Sequence, residues 1–458
     1  MNRKTSWRLG MAFPLVLACI GPAGCGGNNA TTTTVGSPPT AIAVKRYTAG
    51  GQLDTVNFGG GSGAVATKID PSEFEYALAV ALQSGKIIAA GHSALAGQGA
   101  IALVRYNADG TLDSAPGSFG SGGIVRTAIG SDSAEAVAVA VQADGKIVVA
   151  GTILAANFSG KGIVLLRYLP DGTLDPAFGE AGIVTEKIGT GSDTAAAALA
   201  LYPTADGRIV VAGHALTNTK TDIVLLRYNA DGTPDLTFGS VTPGLVTTAL
   251  ASDAAALAIQ LQPPDNKIVA AGSVGNFGNS SMDVVLLRYN TDGMPDASFG
   301  TPGTGIVITD IGSGNNFANA IALQPLDGKI VVAGHANVNF SLDTSDIALL
   351  RYDANGLLET TFGALGQQGK VVTDLGGFDN VFSVALQPLD GKILVSGNTG
   401  SAGSVTRTAV LRYDADGTLD PDFAGGVVTT SATGPSILAS GNAVLVQPDG
   451  GIVVAGYD

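Results

Sequence analysis

The chain has 458 residues, a net charge of −14 at pH 7, 65 glycines, 45% hydrophobic residues and only 14% charged ones. So acidic a surface repels phosphate backbones, which argues against a nucleic-acid partner. So few Glu, Lys and Arg argue against long amphipathic helices and for many short strands joined by tight turns.

The N-terminus reads as an export signal. Arg3, Lys4 and Arg8 precede an apolar stretch at 11–21, and the small residues Pro22-Ala23-Gly24 lead into Cys25. The segment resembles a bacterial lipoprotein signal: Ala23, Gly24 and Cys25 match, while Pro22 stands where Leu is usual. The resemblance implies that residues 1–24 are a signal peptide and that Cys25 carries the lipid. It also implies that the chain is held at the bacterial cell envelope, on the outer membrane or cell surface, or is secreted if Cys25 stays unmodified. Cys19 and Cys25 are the only cysteines, so the mature chain has no disulfide and no Cys-based metal site. Residues 25–40, rich in Gly, Thr and Pro, read as a flexible tether.

From residue 41 the same unit recurs. The pairs Arg46-Tyr47, Arg105-Tyr106, Arg167-Tyr168, Arg227-Tyr228, Arg288-Tyr289, Arg351-Tyr352 and Arg412-Tyr413 lie 59 to 63 residues apart, by subtraction of the arginine numbers. Such a period marks a stacked or ring-closed repeat architecture. Each unit has four short strand signals, as at 123–127, 136–142, 146–151 and 162–168, bounded by Gly, Asp or Asn. Asp144-Gly145 between the second and third is a favoured two-residue hairpin turn, because both residues tolerate positive φ. The array opens with a lone fourth strand at 41–47 and closes with a unit ending at its third strand, 451–456. The halves complement each other and leave no open edge. The expected fold is therefore all-β: a seven-bladed β-propeller of four-stranded antiparallel blades, with the N-terminal strand paired to the C-terminal blade.

The recurring RYxxDGTLDxxFGxxGIV and QxDGKIVVAG strings resemble the delta-60 repeat of bacterial β-propeller proteins, over residues 41 to 458. The resemblance implies the fold and a secreted bacterial setting. It brings no established activity and no catalytic residues.

The repeated Arg precedes a repeated acid by eight residues. The pairs Arg105 and Asp113, Arg167 and Asp175, Arg227 and Asp235, and Arg288 and Asp296 read as structural ion pairs tying strand to turn. The repeated Phe58, Phe119, Phe178, Phe238, Phe299, Phe362 and Phe423 read as wedges between blades. Runs such as Asn107, Asp109 and Asp113 offer oxygens at alternate positions, which suits calcium, but Asx-Gly turn chemistry explains them without a metal. No cofactor and no metal site is expected, with calcium the one candidate. His92, His214 and His335 follow the Ala-Gly of the third strand in separate blades, two strand spacings out from the first, and are read as strand-end residues rather than zinc ligands. No GxSxG, P-loop, HExxH or dinucleotide fingerprint emerges in a suitable context.

The uniform Asp-Gly and Phe-Gly turns share one face of the ring, and the divergent connections share the other. Function in a repeat scaffold sits where loops vary. Phe74, Phe158, Phe277, Phe317, Phe340 and Phe378 appear there outside the repeat logic, as candidate contacts for a protein or glycan ligand, or as plugs folded into their own loops. The sole Trp, Trp7, lies in the signal, which weakens the glycan version. The reading is an exported, lipid-anchored, monomeric binding or interaction module. The alternatives are a hydrolase or lyase using loop carboxylates near the central channel and, third, a structural cell-surface or adhesion protein.

Overall fold

The computed structural model describes residues 40–458 apart from 72–73, 96, 156–159, 190–192, 205, 218–219, 277–280, 301–302, 313, 338–344, 365–367, 402–404 and 433–437. Among the described residues, seven four-stranded antiparallel sheets form the blades of a β-propeller. No helix among them is long and apolar enough to cross a membrane.

Blades one to six take residues 76–127, 133–186, 194–248, 253–309, 316–373 and 378–430 in turn; blade seven joins 440–457 to 42–67. Ile42–Tyr47 pairs antiparallel with Ile452–Tyr457, so the N-terminal strand closes the ring against the C-terminal blade. The blade frame differs from the sequence reading by one strand. The short apolar strand, such as Ile124–Thr127, pairs as the outermost strand of the preceding blade. Blade seven is accordingly closed by two N-terminal strands and two C-terminal ones. Periodicity cannot set this frame, because a repeat reads the same from any starting strand.

The innermost strands contact one another in order around the axis. The second and third strands of each blade are covered on both sides by neighbouring blades. That double burial is why Lys146 to Gly151 and Gly162 to Tyr168 read as continuous apolar runs, while the outer Ile124–Thr127 is half-exposed. The hydrophobic core lies between blades: Ile88, Ala90, Ile101 and Leu103 of blade one pack with Phe119 against Val149, Val164 and Leu166 of blade two.

Each innermost strand carries a bulge opposite the glycine of the Ala-Gly pair (Ser396-Gly397 in blade six), as between Ala77 and Ala79 facing Gly91. A Cβ on Gly91 would sit 2.0 Å from the Tyr76 carbonyl oxygen. The repeated glycine therefore answers a close backbone approach rather than a turn.

Candidate functional site

On the Asp-Gly face, the Arg-Tyr pair stitches each blade to both neighbours. Arg105 meets Asp113 at 2.7 Å, Arg167 meets Asp175 at 2.8 Å, Arg227 meets Asp235 at 2.8 Å and Arg288 meets Asp296 at 2.7 Å. Each acid also takes a basic residue from the neighbouring turn, such as Lys86 to Asp113 at 2.7 Å and Lys267 to Asp296 at 2.8 Å. Burial by itself raises the Asp113 carboxyl, but the hydrogen bonds from Lys86 and Arg105 outweigh it and hold it below the usual range. The arginine then reaches forward. Arg105 donates to the Pro170 carbonyl at 2.6 Å and Arg288 to the Ala354 carbonyl at 2.5 Å, each in the next blade.

Beneath each guanidinium lies the repeated Phe, with Arg105 4.3 Å from the Phe119 ring centroid and Arg288 4.5 Å from that of Phe299. Phe119 abuts Gly172 of the next blade so closely that a Cβ there would lie 2.9 Å from the ring. The tyrosine reaches backwards: Tyr106 donates to Thr67 at 2.7 Å and Tyr168 to Thr127 at 2.8 Å, each on the preceding outer strand. The sequence reading left these tyrosines and the turn lysines without a role. A signal existed, in the Thr that ends most outer strands. Blade two breaks the rule, for Glu186 replaces Thr there and the buried Tyr228 hydroxyl has no hydrogen-bond partner among the described residues.

The calcium-like runs of this face are occupied in turn geometry. Asp109 accepts from the Thr111 N–H at 2.9 Å and the Thr111 hydroxyl at 2.6 Å, while Asp113 is taken by Arg105 and Lys86. Leu326, Leu389, Val56, Leu236 and Val241 are exposed at turn tips of this face, distributed over several blades.

The opposite face carries the chemistry that does not repeat. Phe74 is 44% exposed between blades seven and one. Phe317 is half-buried and stacks on His335, ring centroids 4.9 Å apart. Phe378 is half-buried at the head of an innermost strand, so the structure leaves only Phe74 of these three open to solvent. Phe158, Phe277 and Phe340 lie outside the described residues, as does Cys25 with the signal segment.

The three histidines sit on second strands, one strand spacing from the innermost rather than two. His92 stacks on Tyr76 at 5.2 Å, and Tyr76 donates to Glu135 of blade two at 2.7 Å. Burial pushes His214 and His335 down to about 4. His214 has Asp193 4.0 Å from Nε2. Asp346, Asp374 and Asp379 bring a carboxylate oxygen each within 4.8 Å of one another at the seam of blades five and six. Among the described residues, Ile69, Leu95, Ser121, Ile124 and Arg126 line a groove of about 340 Å³, with Arg126 its sole charged group.

The repeat matches a family model described as "Domain of unknown function (DUF5122) beta-propeller" at residues 82–115, 142–178, 204–238, 264–299, 326–362 and 389–423. The chain is a β-propeller repeat protein. The matched segments of this propeller run from the end of an innermost strand to the Phe or acid of the Asp-Gly face, so they cover the stitching and the connection between second and third strands, and omit the connections that lead into each innermost strand. Comparison with curated proteins finds no match. Among solved structures the propeller is similar to Sqt1 from Chaetomium thermophilum, at 13% identity over 83% of this chain and 96% of that one, with a TM-score of 0.40. It is similar to an alpha-L-arabinanase from Penicillium chrysogenum complexed with arabinobiose, at 12% identity over 74% and 93%, TM-score 0.44. It is also similar to the polysaccharide lyase Uly1, at 10% identity over 86% and 91%, TM-score 0.42.

Proposed function

We propose that this β-propeller is a binding or interaction module of the bacterial cell envelope, tethered by a lipid on Cys25 and recognising a protein or glycan through its variable-loop face. The carrying observation is the asymmetry between faces. On the Asp-Gly face Arg, Asp, Phe and Tyr are consumed in joining blades, whereas the other face presents Phe74, Tyr76 with Glu135, and the Asp346 cluster outside the repeat. The envelope setting rests on the resemblance of the Ala23-Gly24-Cys25 signal and of the delta-60 repeat.

The test uses the full chain and a panel of cell-wall glycans and envelope protein fractions. Phe74→Ala, combined with Phe158→Ala, Phe277→Ala and Phe340→Ala, is expected to weaken binding at least tenfold. Leu326→Asn with Leu389→Asn, on the opposite face, is expected to leave it unchanged. The reverse pattern overturns the assignment of faces. Products released from a glycan during incubation would replace the module with the hydrolase or lyase reading. Cys25→Ser is expected to move the protein out of the membrane fraction, and its retention there would remove the anchor.

A further inference from the structure

Three carboxylates converge at the seam of blades five and six. Asp346 opens the third strand of blade five, Asp346–Tyr352. Asp374 follows the outer strand Lys370–Thr373, and Asp379 lies in the innermost strand of blade six, Phe378–Leu386. Asp379 accepts from the Leu375 N–H at 2.6 Å and the Thr399 hydroxyl at 2.5 Å, and Asp374 accepts from the Gly376 N–H at 2.7 Å. Asp346 differs. It is 8% exposed, and its carboxylate has no hydrogen bond or ion pair among the described residues. A carboxylate withdrawn from water with neither donor nor counter-charge is costly, and two further acids lie beside it.

The neighbouring seam shows how the fold meets the same arrangement elsewhere. Asp283, Asp310 and Asn316 hold the corresponding places, as the strand registers establish: Asn316 faces Ala336 where Asp379 faces Thr399. There the Asn316 amide donates to Asp310 at 3.4 Å and also hydrogen-bonds Asp283. Asp379 has no amide hydrogen to give. In blade three the equivalent Asp222 is met by the Thr217 hydroxyl, with Lys220 Nζ 3.6 Å away. At the seam of blades five and six, three acceptors converge and no basic side chain lies within 4.0 Å of them among the described residues.

We propose that this seam is a calcium site, with Asp346, Asp374 and Asp379 as its protein ligands. An all-oxygen, triply charged set suits a hard divalent cation. Calcium takes six to eight oxygens in a flexible geometry at about 2.3–2.6 Å, whereas magnesium demands a near-ideal octahedron and keeps most of its waters, so a carboxylate set drawn from three separate segments suits calcium better. Burial, then the neighbouring acids, pushes Asp346 up from the ordinary carboxylate value, and burial does the same for Asp379. A bound cation reverses both effects. Its ligands join a third strand, an inter-blade loop and the next innermost strand, so calcium fastens two blades on the variable face. The seam shares the variable face with the proposed ligand site, but its test reads calcium binding alone, so either reading can fail without the other.

Calorimetric titration of the chelator-treated full chain with calcium chloride, and separately magnesium chloride, tests it. One site is expected, at least tenfold tighter for calcium. Asp346→Asn and Asp374→Asn should each weaken it at least tenfold, and Asp109→Asn, on an exposed turn of the other face, should not. Asp374 is exposed, so its variant keeps the test open should Asp346→Asn fail to fold. Absence of calcium binding, equal affinity for both ions, or unchanged affinity in both seam variants overturns the proposal.

Discussion

Glu186 and Tyr228 are where one residue decides the local energetics. The other six tyrosines of the Arg-Tyr pairs meet a Thr hydroxyl of the preceding blade, but the Tyr228 hydroxyl has no partner among the described residues. A buried donor without a partner costs about 1–3 kcal/mol. Glu186→Thr is therefore expected to raise the unfolding free energy by about 1 kcal/mol in urea denaturation; a loss of stability would show that Glu186 satisfies Tyr228 in another way. The histidines set the acid limb. In the folded chain His214 and His335 titrate near 4, against about 6.5 in the unfolded chain, so between those values the unfolded state binds more protons. Stability must then fall as pH drops from about 6.5 to 4, by on the order of 3 kcal/mol for each histidine. Urea midpoints at pH 7, 5.5 and 4 measure this, and His335→Gln should flatten the slope. The repeat acids act lower. Asp113, Asp175, Asp235 and Asp420 are held below the usual carboxylate range, so their contribution is whole above about pH 4 and is lost as pH falls through their depressed values.

At the scale of the element, the unit of cohesion is the arginine with the turn it grips. Arg288 serves Asp296, Gln262, the Ala354 carbonyl of the next blade and the Phe299 ring at once. Removing one partner of such a buried pair costs about 3–5 kcal/mol, which is the loss expected for Arg288→Ala. Arg288→Lys keeps the charge but not the planar fork, and should still lose more than about 1 kcal/mol by chemical denaturation. A lysine variant as stable as the parent would show that charge alone holds the seam. The eight-residue Arg-to-acid spacing and the Phe were legible because identical positions recur in every blade. The Tyr-to-Thr clamp and the added lysines were not. Each joins segments that are remote in sequence, such as Tyr106 and Thr67, and only the packing of adjacent blades brings them together.

For the whole molecule, ring closure decides integrity. Ile42–Tyr47 lies between Ile452–Tyr457 and Ala64–Thr67, so deleting residues 41–47 strips two strand edges of their partner. Unpaired edges recruit other chains. The deletion is expected to give oligomers or aggregates by size-exclusion chromatography and a broadened thermal transition, against an expected monomer for the parent. A monomeric, cooperatively unfolding deletion would mean that closure adds little to the array.

Periodicity, turn chemistry and the complementary ends of the chain were enough to determine a closed seven-bladed propeller, because each blade is written locally and seven times over. The same repetition hides the frame, since nothing local tells an outer strand from the first strand of the next blade. Only the tertiary structure decided that blade seven takes two strands from each end, and that the histidines stand one spacing from the innermost strand. It turned Phe317 onto His335, left Phe74 exposed, and gathered Asp346, Asp374 and Asp379 from two blades into one seam. Those outcomes depend on how neighbouring blades meet, and residues without a repeat carry no periodic signal of where they will meet.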